Sequence, residues 1–389
     1  MAQPSVQAAL EGAETRREQF VQEWIELAEI PAPSGSEARR AAHVERRFNA
    51  IGLEAVGRDG AGNVLGLMRG KDRTLPKVAF MAHLDTVAPE AADHTVKRIA
   101  DDRGGVLRGP GIRDDSSGLA ALLAAATLLR GHGLEPPADT WFVASTREEI
   151  GLQGASRFFD DHAAELGAFI AVDGNLGQVS WAATGIVWLK LWFRGEGAHT
   201  LKAHEMPSTI LAAARAIEEI AAIPLRRSPE SMETWLGLGS MGGGQVPNAQ
   251  PSEAWFTVDL RSNDPGQLAA LERKVRDLAG QAARKVGVEL EVETMQRMAG
   301  AEAPGAESSQ LVVAARQVLE ALSWNPIELT RRGTADHNVA ILRGIPGIAI
   351  GITTGDGAHT PEEHADIAPF TVGLKQVVLL VLMPLTKRA

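Results

Sequence analysis

A histidine and an aspartate stand two residues apart at the end of an apolar run. In KVAFMAHLDTV the run leads into His83 and Asp85. Side chains at positions i and i+2 of a strand point to the same face, so we expect the Asp85 carboxylate to reach the His83 imidazole. Such a partner fixes the tautomer of a metal-ligating imidazole and raises its basicity. A buried, mutually satisfied pair is the plainer alternative.

Four further polar clusters lie at the ends of apolar segments. They contain Asp114 and Asp115 in GPGIRDDSSG, Glu148 and Glu149 in STREEIG, Asp173 in AVDGN, and His359 in GDGAHTPEEHAD. Ligands of open parallel sheets bind beyond the carboxyl ends of the strands, so we expect the clusters to converge on one cleft. Converging carboxylates repel one another unless a cation lies among them. The chain has no Cys, and a set of His, Asp and Glu ligands suits Zn²⁺, Co²⁺ or Mn²⁺ better than Ca²⁺.

Each cluster alone has a simpler explanation. Asp115 could be only a helix N-cap, and adjacent glutamates are most often a solvated face. A single loop histidine such as His359 is more often not a ligand. The occurrence of all the clusters in one chain therefore carries the prediction of a metal site.

The composition limits the other classes of function. The chain has 389 residues, enough for two domains, with 49 acidic and 39 basic residues and a net charge of −10. No basic run interleaved with aromatic residues occurs, which argues against nucleic acid as a partner. The first twenty residues lack the features of a signal peptide, and no apolar run approaches the roughly 18 residues of a membrane span. We therefore expect a cytoplasmic protein.

The pattern of elements predicts two domains. Strands such as NVLGLM and KVAFMAHLD alternate with helices such as SSGLAALLAAATLLRGHG, which predicts an α/β domain with a mainly parallel sheet covered by helices on both faces. From Thr184 the order changes to strand, helix, strand, strand, helix, strand, which is typical of a ferredoxin-like α+β domain. We predict a catalytic metal-binding domain over 1–183 and 298–389, and an inserted lid or dimerisation domain over 184–297.

The motifs as a set resemble a known family. MAHLDTV, GPGIRDDSSG, TREEIG, VDG and a C-terminal histidine are similar to the motifs of the M20 family of dinuclear zinc metallopeptidases and amidohydrolases. The resemblance runs from PAPSGSE to AHTPEEHADI, which is nearly the whole chain. VDGNLGQVSW and RRGTADHNVA look most similar to the tripeptidase T-like branch.

The resemblance implies a role for each ligand-type residue. His83 and Asp173 would hold one metal ion, and Glu149 and His359 would hold the second. Asp114 would bridge both ions. The ions would be Zn²⁺, with Co²⁺ or Mn²⁺ as alternatives.

Two further carboxylates would complete the machinery. Glu148 matches the general base, and Asp85 matches the carboxylate that orients the His83 ring. Spacing alone does not say which of the two neighbouring glutamates is the base; the family pattern makes that choice. A cis peptide bond between Asp114 and Asp115 is also implied.

The resemblance also assigns residues to substrate. They are His199, Asn248, Arg261, Gly333 and Thr334. Arg261 would hold a substrate carboxylate bidentately, although an ion pair at the strand end is the alternative. His199, which family members often offer across a dimer interface, would stabilise the oxyanion. The sequence departs from the family after His199, where HTLKAHE replaces the usual Pro-Gly.

The implied activity is the metal-dependent hydrolysis of a peptide or peptide-like amide bond. We expect an aminopeptidase or tripeptidase that acts on short peptides, working as a homodimer through the inserted domain. The alternative is an N-acyl-amino-acid amidohydrolase of the deacylase or desuccinylase type. An acidic group beyond the metals would favour the peptidase and an apolar wall the deacylase. An inactive metal-stabilised scaffold is least expected, because no ligand or base is missing.

Overall fold

A computed structural model describes residues 3–101, 104–225, 234–302 and 305–386. These residues form two compact units. The first unit comprises residues 1–183 and 302–389, and the inserted unit comprises residues 184–301.

The helices and strands of the two units have the following bounds. The helices are α1 (Pro4–Thr15), α2 (Arg17–Ala28), α3 (Ala38–Ile51), α4 (Ser116–Gly131), α5 (Gln153–His162), α6 (Thr200–Ala203), α7 (Thr209–Ala221), α8 (Pro265–Val286), α9 (Gln310–Ala321), α10 (His337–Leu342) and α11 (Ile367–Val381). The strands of the first half are β1 (Glu54–Arg58), β2 (Val64–Met68), β3 (Lys77–His83), β4 (Lys97–Ile99), β5 (Val106–Arg108), β6 (Thr140–Ser145), β7 (Leu166–Val172) and β8 (Gln178–Ser180). Those of the second half are β9 (Gly185–Arg194), β10 (Ala198–His199), β11 (Thr234–Gly243), β12 (Ala249–Gln250), β13 (Glu253–Ser262), β14 (Glu289–Met298), β15 (Glu328–Thr330), β16 (Gly347–Ile350), β17 (Gly355–Asp356) and β18 (His364–Asp366).

The first unit is built on an eight-stranded sheet in the order β1-β2-β6-β3-β7-β16-β8-β15. The central strands β6, β3, β7 and β16 run parallel to one another, whereas β1, β2 and β8 join through antiparallel pairings. The prediction of a mainly parallel α/β sheet is thus confirmed. Antiparallel strands are confined to the flanks of the parallel centre.

Burial on both faces explains why the central strands are continuously apolar. Along β3, Val78, Phe80 and Ala82 face the main core, and the alternate residues Ala79 and Met81 are also buried. Helix α4 packs on β3 and is itself covered by α1, α2, α3 and α11, while α10 packs on β7 and β16. The expected covering of both faces by helices is therefore present.

A small antiparallel sheet of the first unit was not anticipated. Its strands lie in the order β17-β18-β5-β4, and all of its pairings are antiparallel. The turn between β17 and β18 contains His359, and the segment after β5 leads to Asp114. Two of the predicted ligands therefore depend on this sheet rather than on the large one.

The longer elements of the inserted unit follow the expected order, β9-α7-β11-β13-α8-β14, with the short β10, α6 and β12 between them. Its antiparallel sheet has the strand order β11-β13-β9-β14, and α7 and α8 pack together on β9 and β13. Alternate residues of β9, from Val187 to Phe193, and of β13, from Ala254 to Leu260, form its core. The order of the elements and the strand order identify a ferredoxin-like α+β domain.

Helix α1 precedes the predicted first helix and was missed, because its apolar positions are mainly alanines that pack against α4 and α11.

In the described residues, no helix combines the length and apolarity that crossing a membrane requires.

Candidate metal centre

The centre is built at the carboxyl ends of three neighbouring parallel strands. β3 ends at His83, β6 is followed by the segment that carries Glu148 and Glu149, and β7 is followed by Asp173. Because β3 pairs in parallel with both β6 and β7, these ends meet at one edge of the sheet. The predicted convergence of the clusters has this structural basis.

Four of the predicted ligand residues are in contact with one another. His83 Nε2 lies 2.9 Å from Asp114 Oδ1, and His359 Nε2 lies 3.3 Å from Asp114 Oδ2. His359 Nε2 also lies 3.0 Å from Glu149 Oε2. Ligand atoms of His83, Asp114 and Glu149 all lie within 4.8 Å of one another. Asp114 thus faces one histidine with each carboxylate oxygen, which is the arrangement that a bridging ligand needs.

Asp173 lies outside that group of three, but its carboxylate interacts electrostatically with those of Asp114 and Glu149. Burial, followed by repulsion from Asp114, raises the pKa of the Asp173 carboxyl. We therefore keep Asp173 as a predicted ligand that borders the contact group.

The Asp85 carboxylate lies near the His83 ring, as expected, but the Asp85 backbone carbonyl lies closer to it. β3 ends at His83, so Asp85 follows the strand, and its backbone carbonyl lies 2.9 Å from His83 Nδ1 while its carboxylate lies 3.6 Å away. A carbonyl oxygen can only accept, so Nδ1 carries the proton and Nε2 faces Asp114.

The same carboxylate also fixes the glutamate segment. Asp85 accepts hydrogen bonds from the backbone N–H groups of Glu148, at 2.9 Å, and Glu149, at 3.2 Å. The Ser34 hydroxyl donates a third hydrogen bond at 2.7 Å. Asp85 therefore connects the histidine of one strand end with both glutamates of the next.

Three buried polar residues that support the site were missed from the sequence. Glu363 accepts hydrogen bonds from the N–H groups of Gly111, Arg113 and Asp114. The guanidinium of Arg40 donates to the Leu84 carbonyl at 2.9 Å and also to the carbonyls of Ala28 and Ile30. Asn63 accepts from the N–H of Thr146 and donates to the carbonyl of Gly154. All three act on backbone groups, for which sequence spacing offers no signal.

Hydrogen bonding and burial shift the pKa values of the site strongly. Hydrogen bonds to Asp114 and Glu149 raise the pKa of His359 to about 10. Burial disfavours the charged forms of His83 and Asp114, but their hydrogen bonds outweigh it, so the pKa of His83 is raised and that of Asp114 is lowered. Burial, and then repulsion by Asp336 and Asp173, raises the pKa of Glu148. The site thus favours positive charge between its carboxylates.

The donor set fits divalent metal ions. It contains imidazole nitrogen and carboxylate oxygen without sulfur, which suits Zn²⁺, Co²⁺ or Mn²⁺. Glu149 Oε1 is buried and, among the described residues, no group offers it a hydrogen bond. An unpaired buried carboxylate oxygen beside two imidazoles is the atom that a metal ion would satisfy.

Asp115 is the N-cap of α4, which is the simpler explanation that its sequence position allows. Its side chain caps α4 by accepting the Gly118 N–H at 3.1 Å, and its second oxygen accepts the His83 N–H at 3.0 Å. The peptide bond between Asp114 and Asp115 is cis, as expected. Asp114 therefore contacts the two histidine side chains, whereas Asp115 accepts hydrogen bonds from backbone N–H groups.

The predicted substrate residues of the inserted unit lie at its surface. His199 accepts the Leu201 N–H at the start of α6, and the Asn248 carbonyl accepts the Thr200 N–H at 2.9 Å. Arg261 donates to the Asp259 carboxylate on the same strand, at 3.0 and 3.2 Å. The ion pair considered as an alternative for Arg261 is thus present, and the substrate roles of these residues stay predictions.

Gly333 and Thr334 precede a buried polar group of the first unit. Asp336 accepts the Ser145 hydroxyl at 2.6 Å, and His337 Nε2 lies 3.2 Å from the Ala182 carbonyl. Asp336 and His337 are buried, whereas Gly333 and Thr334 are half-buried. His337 is therefore an interior residue, and His364 lies on β18 of the small sheet.

Comparisons with known proteins agree with the motifs. The model of peptidase family M20/M25/M40 matches residues 79–383. YqjE of Bacillus subtilis strain 168, described as uncharacterized, is 27% identical over 381 residues, which cover 93% of this chain and 97% of YqjE. A succinyl-diaminopimelate desuccinylase of Corynebacterium glutamicum is 27% identical over 359 residues, which cover 89% and 91% of the two chains.

Solved structures of peptidases share the fold. A tripeptidase from Staphylococcus aureus aligns with a TM-score of 0.79 at 23% identity, covering 94% of this chain and 97% of that one. The aminopeptidase PepT from Bacillus cereus aligns with a TM-score of 0.74 at 25% identity, covering 94% and 98%.

Proposed function

Because the chain belongs to peptidase family M20/M25/M40, we propose that this metal-dependent hydrolase of carbon–nitrogen bonds releases residues from short peptides, as an aminopeptidase or tripeptidase. One observation carries the proposal. The side chains of His83, Asp114 and Glu149 converge within 4.8 Å beside a second buried glutamate, Glu148. Hydrolysis of an amide bond requires metal ligands, which hold the ion that activates water, and a nearby carboxylate, which accepts the proton of that water.

We assign the predicted ligands to two metal sites. His83 and Asp173 would hold one divalent ion, Glu149 and His359 would hold the other, and Asp114 would bridge them. The contacts of Asp114 with both histidines support that assignment. Bound ions would supply Lewis acidity, which polarises the scissile carbonyl and eases the ionisation of water.

Glu148 is proposed as the general base. Its raised pKa, caused by burial and by neighbouring carboxylates, brings its proton affinity closer to that needed for transfer near neutral pH. It would take the proton of the attacking water and deliver it to the leaving nitrogen. Asp85 would position Glu148 through the backbone N–H that it accepts at 2.9 Å.

The substrate class has two candidates. PepT and the tripeptidase share this fold, and PepT reaches 25% identity, which supports the peptidase. The desuccinylase of C. glutamicum, at 27% identity over most of both chains, supports an N-acyl-amino-acid amidohydrolase as the second candidate. Both reactions use the same ligands and base, so the difference lies in what the site accepts beside the scissile bond.

A paired substrate panel tests the proposal. The purified chain is assayed, after chelation and restoration with Zn²⁺, Co²⁺ or Mn²⁺, on di- and tripeptides and on N-acetyl- and N-succinyl-amino acids. We expect metal-dependent release of the N-terminal residue of the peptides. Hydrolysis of the acylated compounds alone would establish the amidohydrolase instead, and metal binding without turnover of any compound would contradict both.

Three finer features belong to the same proposal. We propose zinc as the native metal, a homodimer formed through the inserted unit, and a cytoplasmic location. Elemental analysis of the purified protein tests the first, and its mass in solution by light scattering tests the second. A monomeric mass at assay concentration would contradict the dimer. Fractionation of cells that express the native gene tests the third.

A further inference from the structure

A cavity of about 480 Å³ lies beside the candidate metal centre within the first unit. Its wall includes Asp114, Glu149 and His359, which contact one another at the centre. The volume is that of a small-molecule site, with room for one amino-acid residue or a short acyl group. A substrate whose scissile bond lies at the centre can therefore place one of its two flanking groups in this cavity.

Part of the wall is apolar and open. Val87 and Ile99 line the cavity and are 49% and 47% exposed, although side chains of this size are usually buried. Pro89 and Pro110 extend the same surface. These residues suit the carbon skeleton of a substrate group.

Another part of the wall carries two positive charges. Lys97 of β4 and Arg108 of β5 both line the cavity and stand directly opposite each other in the antiparallel register. Side chains directly opposite in such a pair have Cβ atoms about 5 Å apart, and like charges at that spacing destabilise the sheet. The pair is therefore a place where an anion would be favourable.

Four acidic side chains also line the cavity: Asp114 and Glu149 of the candidate metal centre, Glu363, which accepts backbone N–H groups, and Asp93, which interacts electrostatically with Lys97. Arg108 lies 3.8 Å from Glu362, which is an exposed pair, and within the described ranges Lys97 makes no ion pair. The Asp93 carboxylate accepts the Thr95 N–H at 3.0 Å. His364 stands opposite Arg108 on the other side of β5 and extends the row of basic side chains.

We propose that this cavity binds one flanking group of the substrate and that Lys97 and Arg108 select a group that ends in a carboxylate. The inference rests on the proposed function, because it assumes that the scissile bond lies at the metal centre. The carboxylate can come from the free C-terminus of a short peptide, from an acidic side chain, or from a dicarboxylic acyl group. All three share an apolar stem that ends in an anion.

Matched substrate pairs separate these sources. The pairs are a tripeptide and its C-terminal amide, a glutamyl and a glutaminyl peptide, and an N-succinyl and an N-butanoyl amino acid. For at least one pair, wild-type kcat/KM should favour the carboxylate. Lys97→Met and Arg108→Met should each reduce that preference about tenfold, because each removes a charge-assisted hydrogen bond. The pair that responds identifies the source.

Arg98 provides the matched control. It lies between Lys97 and Ile99 on the opposite face of β4, where it bonds Glu18. Arg98→Met removes the same net charge and should leave the preference unchanged. An equal loss in Arg98→Met, or an unchanged preference in Lys97→Met and Arg108→Met, would overturn the inference.

Binding of glutarate gives a readout that does not depend on turnover. Calorimetry with the metal-loaded Glu148→Gln protein should show about tenfold weaker glutarate binding when Lys97→Met is added, and no change when Arg98→Met is added. Equal glutarate affinity with and without Lys97→Met would overturn the inference. If no substrate is hydrolysed, the proposed function fails, and this binding result still decides whether the cavity selects an anion.

Discussion

The candidate metal centre of the first unit and the predicted substrate residues of the inserted unit differ in how firmly the fold holds them. His83 and Asp85 are almost fully buried, and the partners of the Asp85 carboxylate include the backbone of the glutamate segment. In the inserted unit, His199 and Asn248 are exposed, and Arg261 bonds a neighbour on its own strand. Burial with backbone partners fixes a side chain in one position, whereas exposure leaves its position open to a ligand.

This difference has a simple cause in the two sheets. The ends of buried parallel strands are surrounded by covered backbone, so the polar side chains there must find partners within the fold. In the inserted unit, His199 on the short strand β10 and Asn248 just before β12 are exposed, and Arg261 on β13 is half-buried. The first unit therefore holds His83 and Asp85 through contacts within its own fold, whereas the substrate roles of the inserted unit's residues stay predictions.

Replacement of the proposed base tests the chemical half of this comparison and should have the largest effect. In Glu148→Gln we expect kcat to fall by about 10³-fold, because general acid–base catalysis contributes on that scale. Metal content should stay at the wild-type value, since Glu149 is the predicted ligand. The measurement is kcat with elemental analysis of the same sample. Loss of metal in this variant, with metal retained in Glu149→Gln, would reverse the two assignments.

Replacement of Asp85 tests whether the positioning network matters. In Asp85→Asn the new amide cannot accept all three hydrogen bonds, so we expect metal affinity or activity to fall roughly 10- to 100-fold. Competition with a chelator measures the affinity. Ser34→Ala removes one of the three donors and serves as the milder control. A metal affinity of Asp85→Asn equal to that of wild type would show that the glutamate segment holds its position without this carboxylate.

The two roles of Arg261 make opposite predictions for the inserted unit. If Arg261 binds a substrate carboxylate, Arg261→Met should raise KM about tenfold and leave kcat nearly unchanged, which is the pattern of lost uniform binding. Asp259→Asn, which removes its ion-pair partner, should then lower KM or leave it unchanged. If neither variant alters KM, Arg261 only pairs with Asp259 on its own strand and does not bind substrate.

The smallest expected effect concerns the stability of the inserted unit. Burial opposes ionisation of Glu272, but hydrogen bonds from Arg297 and Arg276 outweigh it and lower its pKa below the ordinary value near 4.5. A lowered folded-state pKa gives stability that is present above pH 4.5 and is lost as the pH falls through the folded-state value. Glu272→Gln should therefore lower the free energy of unfolding by about 1 kcal/mol at pH 7.

Urea unfolding of both proteins across pH measures that difference. The gap between wild type and Glu272→Gln should stay constant above pH 4.5 and close below it. A gap that widens as the pH falls would contradict the sign of the shift.

The sequence predicted which strands lead into the candidate ligands, because burial and chemistry coincide there. An apolar run followed by His83, Glu148 or Asp173 is a pattern that a short stretch of sequence shows. Parallel pairing of β3 with β6 and β7 then brings these strand ends to one edge of the sheet. The small sheet that carries His359 was missed, since its strands are two or three residues long and too short for a periodic pattern.

The supporting residues could not be found in the same way. Glu363, Arg40 and Asn63 bond backbone groups of segments far away in the chain, and any acceptor or donor of the right reach would satisfy such groups. The contacts of Asp85 include a carbonyl that the sequence did not single out. Because the strand ends at His83, two residues before Asp85, the Asp85 carbonyl lies 2.9 Å from His83 Nδ1 and the carboxylate lies 3.6 Å away.

Metal stoichiometry measured together with chelation tests the central claim most directly. The purified chain is analysed for metals, dialysed against a chelator, and reconstituted while peptide hydrolysis is followed at each step. The account predicts two divalent ions per chain in the active protein, loss of activity on their removal and recovery on their return. A fully active protein that retains no metal after chelation would contradict it.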